Sequence, residues 1–588
     1  MNIFKDIFNG CLLRLFDMDY NTSKIGDQSS GSSSTSQQPI QVWLTTFDQS
    51  FLFQRMNDIH FNSTSTKATS SSSSFNSKND TIKYQRIYGY GAALTQSSAY
   101  LFSLLIEQNE TNGLNVLKSL FDPVEGIGLS MIRVPASACD FSLTNYTYDD
   151  YTNDYKLVNL SIDADKQYTI PIIKQIQSIN PNIKLIYSPW TAPKWMKSSN
   201  SLTSGELLSN MYDIYTDFFV SFLMKYKLEE SIDIFGVTLQ NEPLFQPFSY
   251  PGMYVPSDVA AQLVALLGTK LLAQPEVSDT RILIYDHNWI DLDYPLDILT
   301  DSDAYPYVNA TAFHCYQGDV TNQSVLYNKY PEKEIHMTEC SGGYWAPDFA
   351  SDLAWNTNNL YMGAVQNWAS SVLQWNLALD SNDGPTNNGC KNCRGLLTVD
   401  INNNSIKNDD GDNDDHQVLF NVEYYGLAHF RSIYLFDIGS CTSVIDVATD
   451  EKTESKFESV IGSNNENENR YYVGDEVQPR RDTLELSYPV QNGDITNWQA
   501  METIYRHSFQ KLEVDSKKQP VLLVETPNNS NVNREKMAQI MFEKFDVPSM
   551  YIANQAILTL YSAGHLTAVV LDSSDGVTSA VPVLMDMQ

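Results

Sequence analysis

Eight short apolar segments, each ending in polar or aromatic residues, constrain the fold of this chain more than any other feature. They lie at residues 87–91, 129–135, 184–190, 232–243, 281–286, 310–316, 334–340 and 371–376. Stretches with apolar residues at helical spacing separate them, for example at 212–227 and 256–272. Strands and helices that alternate and close at eight predict an α/β fold, the (β/α)8 TIM barrel, whose site lies at the carboxyl ends of the strands.

Two of these segments end in a glutamate. The segment 232–243 reads Ile-Asp-Ile-Phe-Gly-Val-Thr-Leu-Gln-Asn-Glu-Pro, and its first eight residues predict a strand buried on both faces, ended by Pro243. The segment 334–340 ends in Thr-Glu-Cys, which places Glu339 at the tip of another strand. Cleavage of a glycosidic bond needs two such carboxyl groups, a proton donor with a raised pKa and a nucleophile. One strand-end glutamate alone is more simply a solvated cap, but the pair favours catalysis.

Six motifs resemble the glucosylceramidase (acid β-glucosidase) family, glycoside hydrolase family 30, over about residues 41–440. They are Gly-Tyr-Gly-Ala-Ala-Leu-Thr at 89–95, Ile-Arg-Val-Pro-Ala-Ser-Ala-Cys-Asp-Phe-Ser at 132–142, Ser-Pro-Trp-Thr-Ala-Pro-Lys-Trp-Met-Lys at 188–197, Val-Thr-Leu-Gln-Asn-Glu-Pro at 237–243, Thr-Glu-Cys at 338–340 and Trp-Asn-Leu-Ala-Leu at 375–379. The resemblance implies a retaining glycosidase with Glu242 as acid/base and Glu339 as nucleophile. It also implies a β-sandwich beside the barrel, here only partial.

The same resemblance implies a glucose subsite built from further strand-end side chains. These are Arg133, Trp190, Asn241, His314, Tyr316, Trp375 and Asn376. We predict that Trp190 and Trp375 form apolar walls of the subsite, although a tryptophan at such a position often serves packing alone. The family usually carries aspartate after the threonine of the first motif, where this chain has Gln96, which can still bond a sugar hydroxyl but carries no charge.

Composition limits the classes of partner and cofactor. The 38 Lys and Arg against 71 Asp and Glu give a net charge of −33, which disfavours nucleic acid and is typical of a well-solvated surface. No apolar run in the sequence is as long as a membrane-spanning helix. Of seven cysteines, Cys390 and Cys393 predict a small structural disulfide loop, because no second Cys or His pair accompanies them to bind zinc. We expect no cofactor and no metal.

From about residue 456 the chain resembles a segment of actin. Matching stretches occur in order at 472–476, 497–498, 520–527, 533–537, 541–543, 555–561 and 572–576. Actin holds ATP between two phosphate-binding loops, but only the second has a counterpart here, with Ser574 in place of its central glycine. We therefore predict that this tail neither binds ATP nor polymerises, and that the barrel works without it. Its apolar strands, such as 521–524, are expected to lack the partners they have in actin.

These observations divide the chain into five parts. Residues 1–40 are a disordered or targeting N-terminus, 41–84 hold sandwich strands at 42–47 and 81–84 with a Ser-rich insertion, 85–430 form the catalytic barrel, 431–455 hold truncated sandwich strands and a linker, and 456–588 are the incomplete actin-like α/β segment. The family resemblance implies a lysosomal or secretory location, although residues 1–20 lack the uninterrupted apolar core of a cleavable signal.

Three functions stay open at this point. The first is hydrolysis of glucosylceramide or a similar β-glucoside, which would bring the protein to a membrane surface through its lipid substrate. The second is hydrolysis of a β-1,6-glucan or another β-glycan on the same fold, because chemistry transfers between relatives more safely than substrate. The third is a non-catalytic protein whose tail binds actin-related partners. The glutamate pair and its aromatic surroundings favour an enzyme.

Overall fold

The computed structural model describes residues 85–123, 126–346 and 348–400, most of 406–583, and short strands at 11–16, 41–46 and 54–55. It divides the chain into two compact units. One consists of residues 87–431, and the other combines residues 1–86 with residues 432–588.

Residues 87–431 form the predicted barrel. Its eight parallel strands are β1 (Gly89–Ala93), β2 (Met131–Ala136), β3 (Lys184–Pro189), β4 (Gly236–Thr238), β5 (Arg281–Asn288), β6 (Val308–His314), β7 (Glu334–Glu339) and β8 (Ala369–Gln374). Each strand pairs with the next along the chain, and β8 pairs with β1, so the sheet closes. The TIM barrel predicted from the sequence is confirmed.

Helices alternate with the strands around the barrel. The predicted helices at 212–227 and 256–272 are confirmed as Tyr212–Glu230 and Ser257–Leu272. The remaining α-helices of this unit are Gln96–Gln108, Glu110–Phe121, Asp163–Lys166, Thr169–Ile179, Asp293–Thr300, Asn322–Tyr327, Phe349–Asn356, Gly363–Gln366 and Val422–Leu427. Their apolar faces cover the outside of the sheet, as the helical spacing of apolar residues requires.

The strand before Glu242 is shorter than the sequence predicts. Only Gly236–Thr238 joins the ladder, and residues 231–234 alternate between exposed and buried positions instead of being buried on both faces. Ser231 has a positive φ and ends the preceding helix, and Asp233 pairs with Lys227 at the surface. The end of the helix and this ion pair therefore involve residues next to or within the segment that the apolar pattern predicted to be a strand.

The other unit contains a five-stranded sheet with its own apolar core. Its strand order is Ser455–Glu458, Thr442–Val447, Tyr434–Ile438, Val521–Glu525 and Met550–Asn554. Helices Trp498–Lys511 and Asn531–Phe545 contribute buried side chains such as Ile504 and Met541 to a core shared with Phe436 and Leu523. Burial of these apolar side chains is what holds the unit together.

This sheet corrects two expectations. The strands expected at 431–455 to belong to a truncated sandwich pair instead within this sheet, where Tyr434–Ile438 runs parallel to Val521–Glu525. The strand expected to lack partners therefore has one on each side, because Met550–Asn554 pairs along its other edge. A strand's own pattern does not specify a partner that lies 87 residues away, as Val521 does from Tyr434, and the pairing decides which sheet the strand joins.

Three short N-terminal strands also differ from the expectation. Cys11–Phe16, within the segment expected to be disordered or targeting, pairs antiparallel with Gln41–Thr46, which in turn pairs with Gln54–Arg55. These three form a sheet of their own. The strand predicted at 81–84 and the Ser-rich insertion lie outside the described residues. None of the helices that the structure describes has both the length and the apolar content needed to cross a bilayer.

Candidate active site

Glu242 follows β4 in a backbone conformation that few residues adopt. Its φ is +47°, and its N–H donates to the carbonyl of Asp286 at 3.0 Å. Ser137, Asp286 and Asn376, which also lie at or near strand ends, have positive φ values as well. Each such residue costs roughly 1–3 kcal/mol, so the surrounding structure must hold it in place, and such residues concentrate at functional sites.

Glu242 and Glu339 approach the same nitrogen atom. His314 Nδ1 lies 3.2 Å from Glu242 Oε1 and 3.8 Å from Glu339 Oε1. These oxygens are therefore at most about 7 Å apart, the two distances laid end to end. Retaining glycosidases hold their carboxyl groups about 5–5.5 Å apart and inverting ones about 6.5–9.5 Å apart. This bound on one pair of oxygens is compatible with the predicted retaining arrangement.

Arg133 on β2 forms an ion pair with Glu339, the candidate nucleophile. One guanidinium nitrogen donates to Glu339 Oε2 at 2.5 Å, and the other donates to Asn241 Oδ1 at 2.7 Å and Asp286 Oδ2 at 2.8 Å. Burial alone would lower the pKa of Arg133, but the carboxylates of Asp286 and Glu339 raise it above its usual value. This cation is permanent, and it orients both Glu339 and Asn241.

Asp286 organises the floor of the site, and the sequence analysis did not assign it a role. It is fully buried; its Oδ2 accepts from the hydroxyls of Ser188 and Thr238, and its Oδ1 accepts from Thr338. Burial opposes ionisation, but Arg133, His314 and Thr338 lower the pKa of Asp286 well below its usual value. Its position at the end of a predicted strand was the one signal in the sequence that could have found it.

His314, rather than Glu242, holds the proton in this geometry. Burial would raise the pKa of Glu242, but the imidazoles of His287 and His314 lower it to about 2. Burial would lower the pKa of His314, but Glu339, Asp286 and Glu242 raise it to about 9. The expected raised pKa of the acid is therefore wrong for this state of the site. The proton lies one hydrogen bond away from Glu242.

Tyr316 and the two tryptophans lie around the nucleophile. The Tyr316 hydroxyl donates to Glu339 Oε1 at 2.8 Å. The rings of Trp190 and Trp375 stack at 5.3 Å, and the Arg133 guanidinium lies 4.9 Å and 5.6 Å from their centres. Both indoles are 3% exposed and are therefore well packed. They lie one side chain away from Glu339, and their contact with a sugar stays a prediction.

Two predicted amide residues differ in what they offer a ligand. Asn376 accepts from the Thr95 hydroxyl at 2.9 Å, and its buried Nδ2 has no hydrogen-bond partner among the described residues. Gln96 instead uses its side-chain oxygen to accept from the backbone N–H of Leu143 at 2.8 Å. Asn376 therefore keeps an unused donor for a ligand, whereas the oxygen of Gln96 is engaged in fixing the loop after β2.

Asp140 is a site residue that the sequence analysis quoted in a motif without assigning it. It is 9% exposed, and its buried Oδ1 has no partner among the residues that the structure describes. Burial, followed by the charges of Glu339 and Glu242, raises the pKa of Asp140 to about 8. A carboxyl group that keeps its proton at neutral pH can both donate to and accept from a sugar hydroxyl.

The barrel sequence matches a family model, Glycosyl hydrolase family 30 TIM-barrel domain, over residues 87–391. The chain belongs to this glycosyl hydrolase family. A second model, Actin, matches residues 431–588, which begins earlier than the expected 456 and agrees with the sheet that includes Tyr434–Ile438. The molecule therefore joins a family 30 barrel to an actin-like domain.

Curated relatives and a solved structure share the family 30 region. Endo-1,6-beta-D-glucanase neg1 of Aspergillus fumigatus is 33% identical over 369 residues, which cover 59% of this chain and 70% of the relative. Endo-1,6-beta-D-glucanase of Neurospora crassa is 32% identical, with 54% and 66% covered, and putative glucosylceramidase 4 of Caenorhabditis elegans is 30% identical, with 52% and 62% covered. The structure of the endo-beta1,6-glucanase BT3312 aligns with a TM-score of 0.57 at 29% identity, covering 72% of this chain and 88% of that one. The chain thus spans about two thirds of the length of its curated relatives.

Disulfides brace two edges of the family 30 site. The predicted Cys390–Cys393 bridge is present. A second bridge, Cys315–Cys340, was not predicted, and it joins the residues that directly follow His314 and Glu339. Its signal lay in the barrel order, because β6 and β7 are neighbours and a cysteine directly follows each of them.

One cluster in the described part of this family 30 barrel has the residue types of a metal site. Glu242, His287 and His314 each offer one ligand atom, and these atoms lie within 4.8 Å of one another. Carboxylate oxygen and imidazole nitrogen suit transition metals such as zinc. His287 is a further residue that the sequence analysis did not single out.

Proposed function

We propose that this protein is a retaining β-glycosidase that hydrolyses a β-1,6-linked glucan. The observation that carries the reaction type is the pair of glutamates, each within 4 Å of the same His314 nitrogen. The substrate rests on the relatives, because two curated glucanases and a solved one match this chain at 29–33% identity. The similarity therefore favours the second function considered from the sequence over the first, glucosylceramide hydrolysis.

The residues support a double displacement. Glu339, oriented by Arg133 and Tyr316, attacks the anomeric carbon, and Glu242 protonates the leaving oxygen. As the charge of Glu339 is consumed in the new ester bond, His314 loses one of the carboxylates that raise its pKa. His314 then releases its proton to Glu242 at the moment the leaving group needs it. Glu242, now a base, activates a water that hydrolyses the ester, and the product keeps the β configuration.

Exposed aromatic side chains extend the surface available to a polymer. Phe245 and Phe248 follow Glu242 and are 47% and 88% exposed, and Tyr344 and Trp345 follow Glu339 and are each 53% exposed. Aromatic faces of this kind can stack against successive glucose units. They could equally enter a membrane surface, which keeps glucosylceramide as the second candidate.

The experiment compares substrates and follows the anomer formed. A β-1,6-glucan, a β-1,3-glucan and detergent-dispersed glucosylceramide are assayed side by side, with Glu339→Gln as the inactive control. We expect the highest kcat/KM on the β-1,6-glucan and a β anomer as first product by NMR. Faster hydrolysis of glucosylceramide would contradict the substrate, and an α anomer would contradict the mechanism.

We also propose that the protein folds in an oxidising compartment, as the lysosomal or secretory expectation requires. The support is two disulfides, because such bridges persist in secreted and endomembrane proteins and are rare in the cytosol. Labelling of free thiols in protein isolated without reductant should modify neither pair. Modification of Cys315 and Cys340 in native protein would argue against this location.

A further inference from the structure

We propose that the pocket of the catalytic acid is also a binding site for a divalent transition metal, zinc or copper, which would inhibit the enzyme reversibly. The ligands would be Glu242, His287 and His314, through Glu242 Oε1 and the two Nδ1 atoms that lie nearest to it. They come from the ends of three neighbouring strands, β4, β5 and β6. The proposal concerns binding and adds to the hydrolysis proposed above.

The distances fit one small ion. Zinc bonds to nitrogen and oxygen at about 2.0–2.2 Å with tetrahedral angles, so two ligand atoms on one ion lie about 3.4 Å apart. Glu242 Oε1 is 3.2 Å from His314 Nδ1 and 3.6 Å from His287 Nδ1. The ligand atoms of all three residues lie within 4.8 Å of one another.

The buried Nδ1 of His287 is a second, independent observation that supports a metal site. The residue is 7% exposed, and its buried Nδ1 makes no hydrogen bond among the described residues, since its contact with Glu242 Oε1 is 3.6 Å long. A buried ring nitrogen without a partner is unusual, because the great majority of buried polar atoms are satisfied. This nitrogen faces Glu242, and a metal ion placed between them would satisfy it.

The surroundings of His314 are those of a metal ligand. Its Nε2 lies 3.1 Å from Asp286 Oδ1, which leaves Nδ1 directed towards Glu242. A carboxylate bonded to the far nitrogen of a ligating histidine is the usual outer support of a zinc site. Asp286 is itself held by Thr338 and Arg133, so this support is rigid.

Local charge favours a metal cation in place of the proton that His314 otherwise holds, because a ligating imidazole must be neutral. The carboxyl groups of Glu242, Glu339 and Asp286 surround the cluster, and Arg133 is the cation bonded to two of them. A metal on Glu242 Oε1 would occupy the oxygen that must exchange a proton with the leaving group. Binding would therefore stop turnover without changing the fold, and a chelator would restore it.

The test uses the full chain and two separate readouts. Co²⁺, which occupies zinc sites, is titrated in the absence of substrate and followed by its visible absorption, and Zn²⁺ is titrated against hydrolysis of an aryl β-glucoside. We expect one bound Co²⁺ per chain, inhibition by Zn²⁺ that a chelator reverses, and little effect of Mg²⁺, which prefers oxygen ligands. Because the absorption needs no turnover, a failure of the hydrolysis proposal would leave this readout intact.

His287→Asn is the decisive variant, with His287→Gln as a second substitution should the first fail to fold. We expect either to weaken Zn²⁺ inhibition about 10-fold or more, relative to its own zinc-free activity, since even loss of an outer partner costs that much. His507→Asn, in the other unit, is the matched control and should leave inhibition unchanged. Equal inhibition in the His287 variants, or no Co²⁺ absorption in the parent chain, would overturn the proposal.

Discussion

The barrel and the actin-like domain both bury apolar side chains, but they differ in the charged side chains that they bury. The barrel encloses Arg133, Asp286 and His314, all fully buried, and Asp286 is bonded to the other two. The actin-like domain encloses apolar residues such as Ile504 and Met541, and its buried Glu525 is paired with a partly exposed Arg534. Buried charge is expensive unless it is fully paired, so a barrel that concentrates it has kept it for chemistry. The apolar core of the second unit indicates stability only.

The two units also differ in how their sheets end. The eight-stranded barrel is closed and presents no unpaired edge. The five-stranded sheet has two edges, Ser455–Glu458 and Met550–Asn554. An edge strand offers unpaired backbone groups to other chains. Loss of any strand from the five-stranded sheet would therefore expose a new edge and favour aggregation.

The largest effect is expected from the two glutamates that we propose to be catalytic. Glu339→Gln should abolish hydrolysis, because the covalent route is lost. Glu242→Gln should lower kcat/KM by about 10²–10⁴-fold on a substrate with a poor leaving group, which is what a general acid contributes. Initial rates and melting temperatures are the measurements; Glu242→Gln should melt like the parent, whereas Glu339→Gln removes a partner of the buried Arg133 and should melt at a lower temperature.

Glu525→Gln is the matched control for these two variants. It removes a carboxylate that is also buried, 7% exposed, but lies in the actin-like domain beside Arg534. It should lower the melting temperature of that domain without slowing hydrolysis. If it slowed hydrolysis as much as Glu242→Gln, the barrel and the actin-like domain would not differ in their importance for catalysis.

Azide should rescue the activity of Glu339→Gly and give an α-glucosyl azide as product. A β-glucosyl azide would show that Glu339 is not the nucleophile.

A second prediction concerns the pH dependence. The Glu242–His314 pair shares one proton, held with a pKa of about 9 on His314, so kcat/KM should fall as the pH rises through that value. In His314→Asn, Glu242 alone must hold the proton, and the alkaline limb should move to lower pH by at least about one unit. Glucosides with an activated leaving group need no acid and serve as the control. An alkaline limb that does not move would show that His314 is not the proton holder.

The sequence predicts the features of this site that lie within one short segment, and it does not predict those that depend on contacts between segments. The strand that ends in Glu339 is visible in six consecutive residues. The strand before Glu242 is also visible locally, as eight consecutive residues from 232, although only Gly236–Thr238 forms the ladder. The roles of Asp286 and His287 depend on contacts between different strands, and no short segment shows them. The same reason explains Tyr434–Ile438, whose pattern predicts a strand but whose partner at Val521–Glu525 is remote.

The protonation of Glu242 was missed for a related reason. General chemistry requires a proton at the acid, and burial alone would supply it by raising the pKa. The two imidazoles that reverse this come from β5 and β6, and only the closed barrel brings them to Glu242. A motif specifies which residue reacts, whereas the tertiary contacts decide where its proton is held.

A third prediction distinguishes the two disulfides of the barrel unit. Cys315–Cys340 spans 25 residues and fixes the backbone beside His314 and Glu339, whereas Cys390–Cys393 spans 3. The double variant Cys315→Ser/Cys340→Ser should lower kcat about 10-fold to 100-fold, because small misplacement of reacting groups is costly. The matched pair Cys390→Ser/Cys393→Ser should have a smaller effect. Measurement well below the melting temperature separates positioning from stability, and equal losses in the two variants would contradict a positioning role.

The smallest effect on catalysis is expected from removing the actin-like domain, provided that the truncation removes all five strands of its sheet. A chain ending at residue 431 follows the boundary between the two units and should keep kcat/KM within about twofold of the full chain, because a compact domain can fold alone. A cut after residue 456, where the sequence first indicated the change, keeps Tyr434–Ile438 but deletes its partner Val521–Glu525.

That second cut should yield a barrel that is active but aggregates. Phe436 and Ile445 are 0% exposed in the complete sheet, and each would lose about 1.5–3 kcal/mol of burial while a new strand edge opens. Light scattering and activity of the two truncated chains, measured beside the full chain, provide the comparison, with ATP titrated into each. Equal solubility of the two would show that the strands at 434–447 do not depend on the actin-like domain. Saturable ATP binding by the full chain would show that one phosphate-binding loop suffices, against the expectation drawn from Ser574.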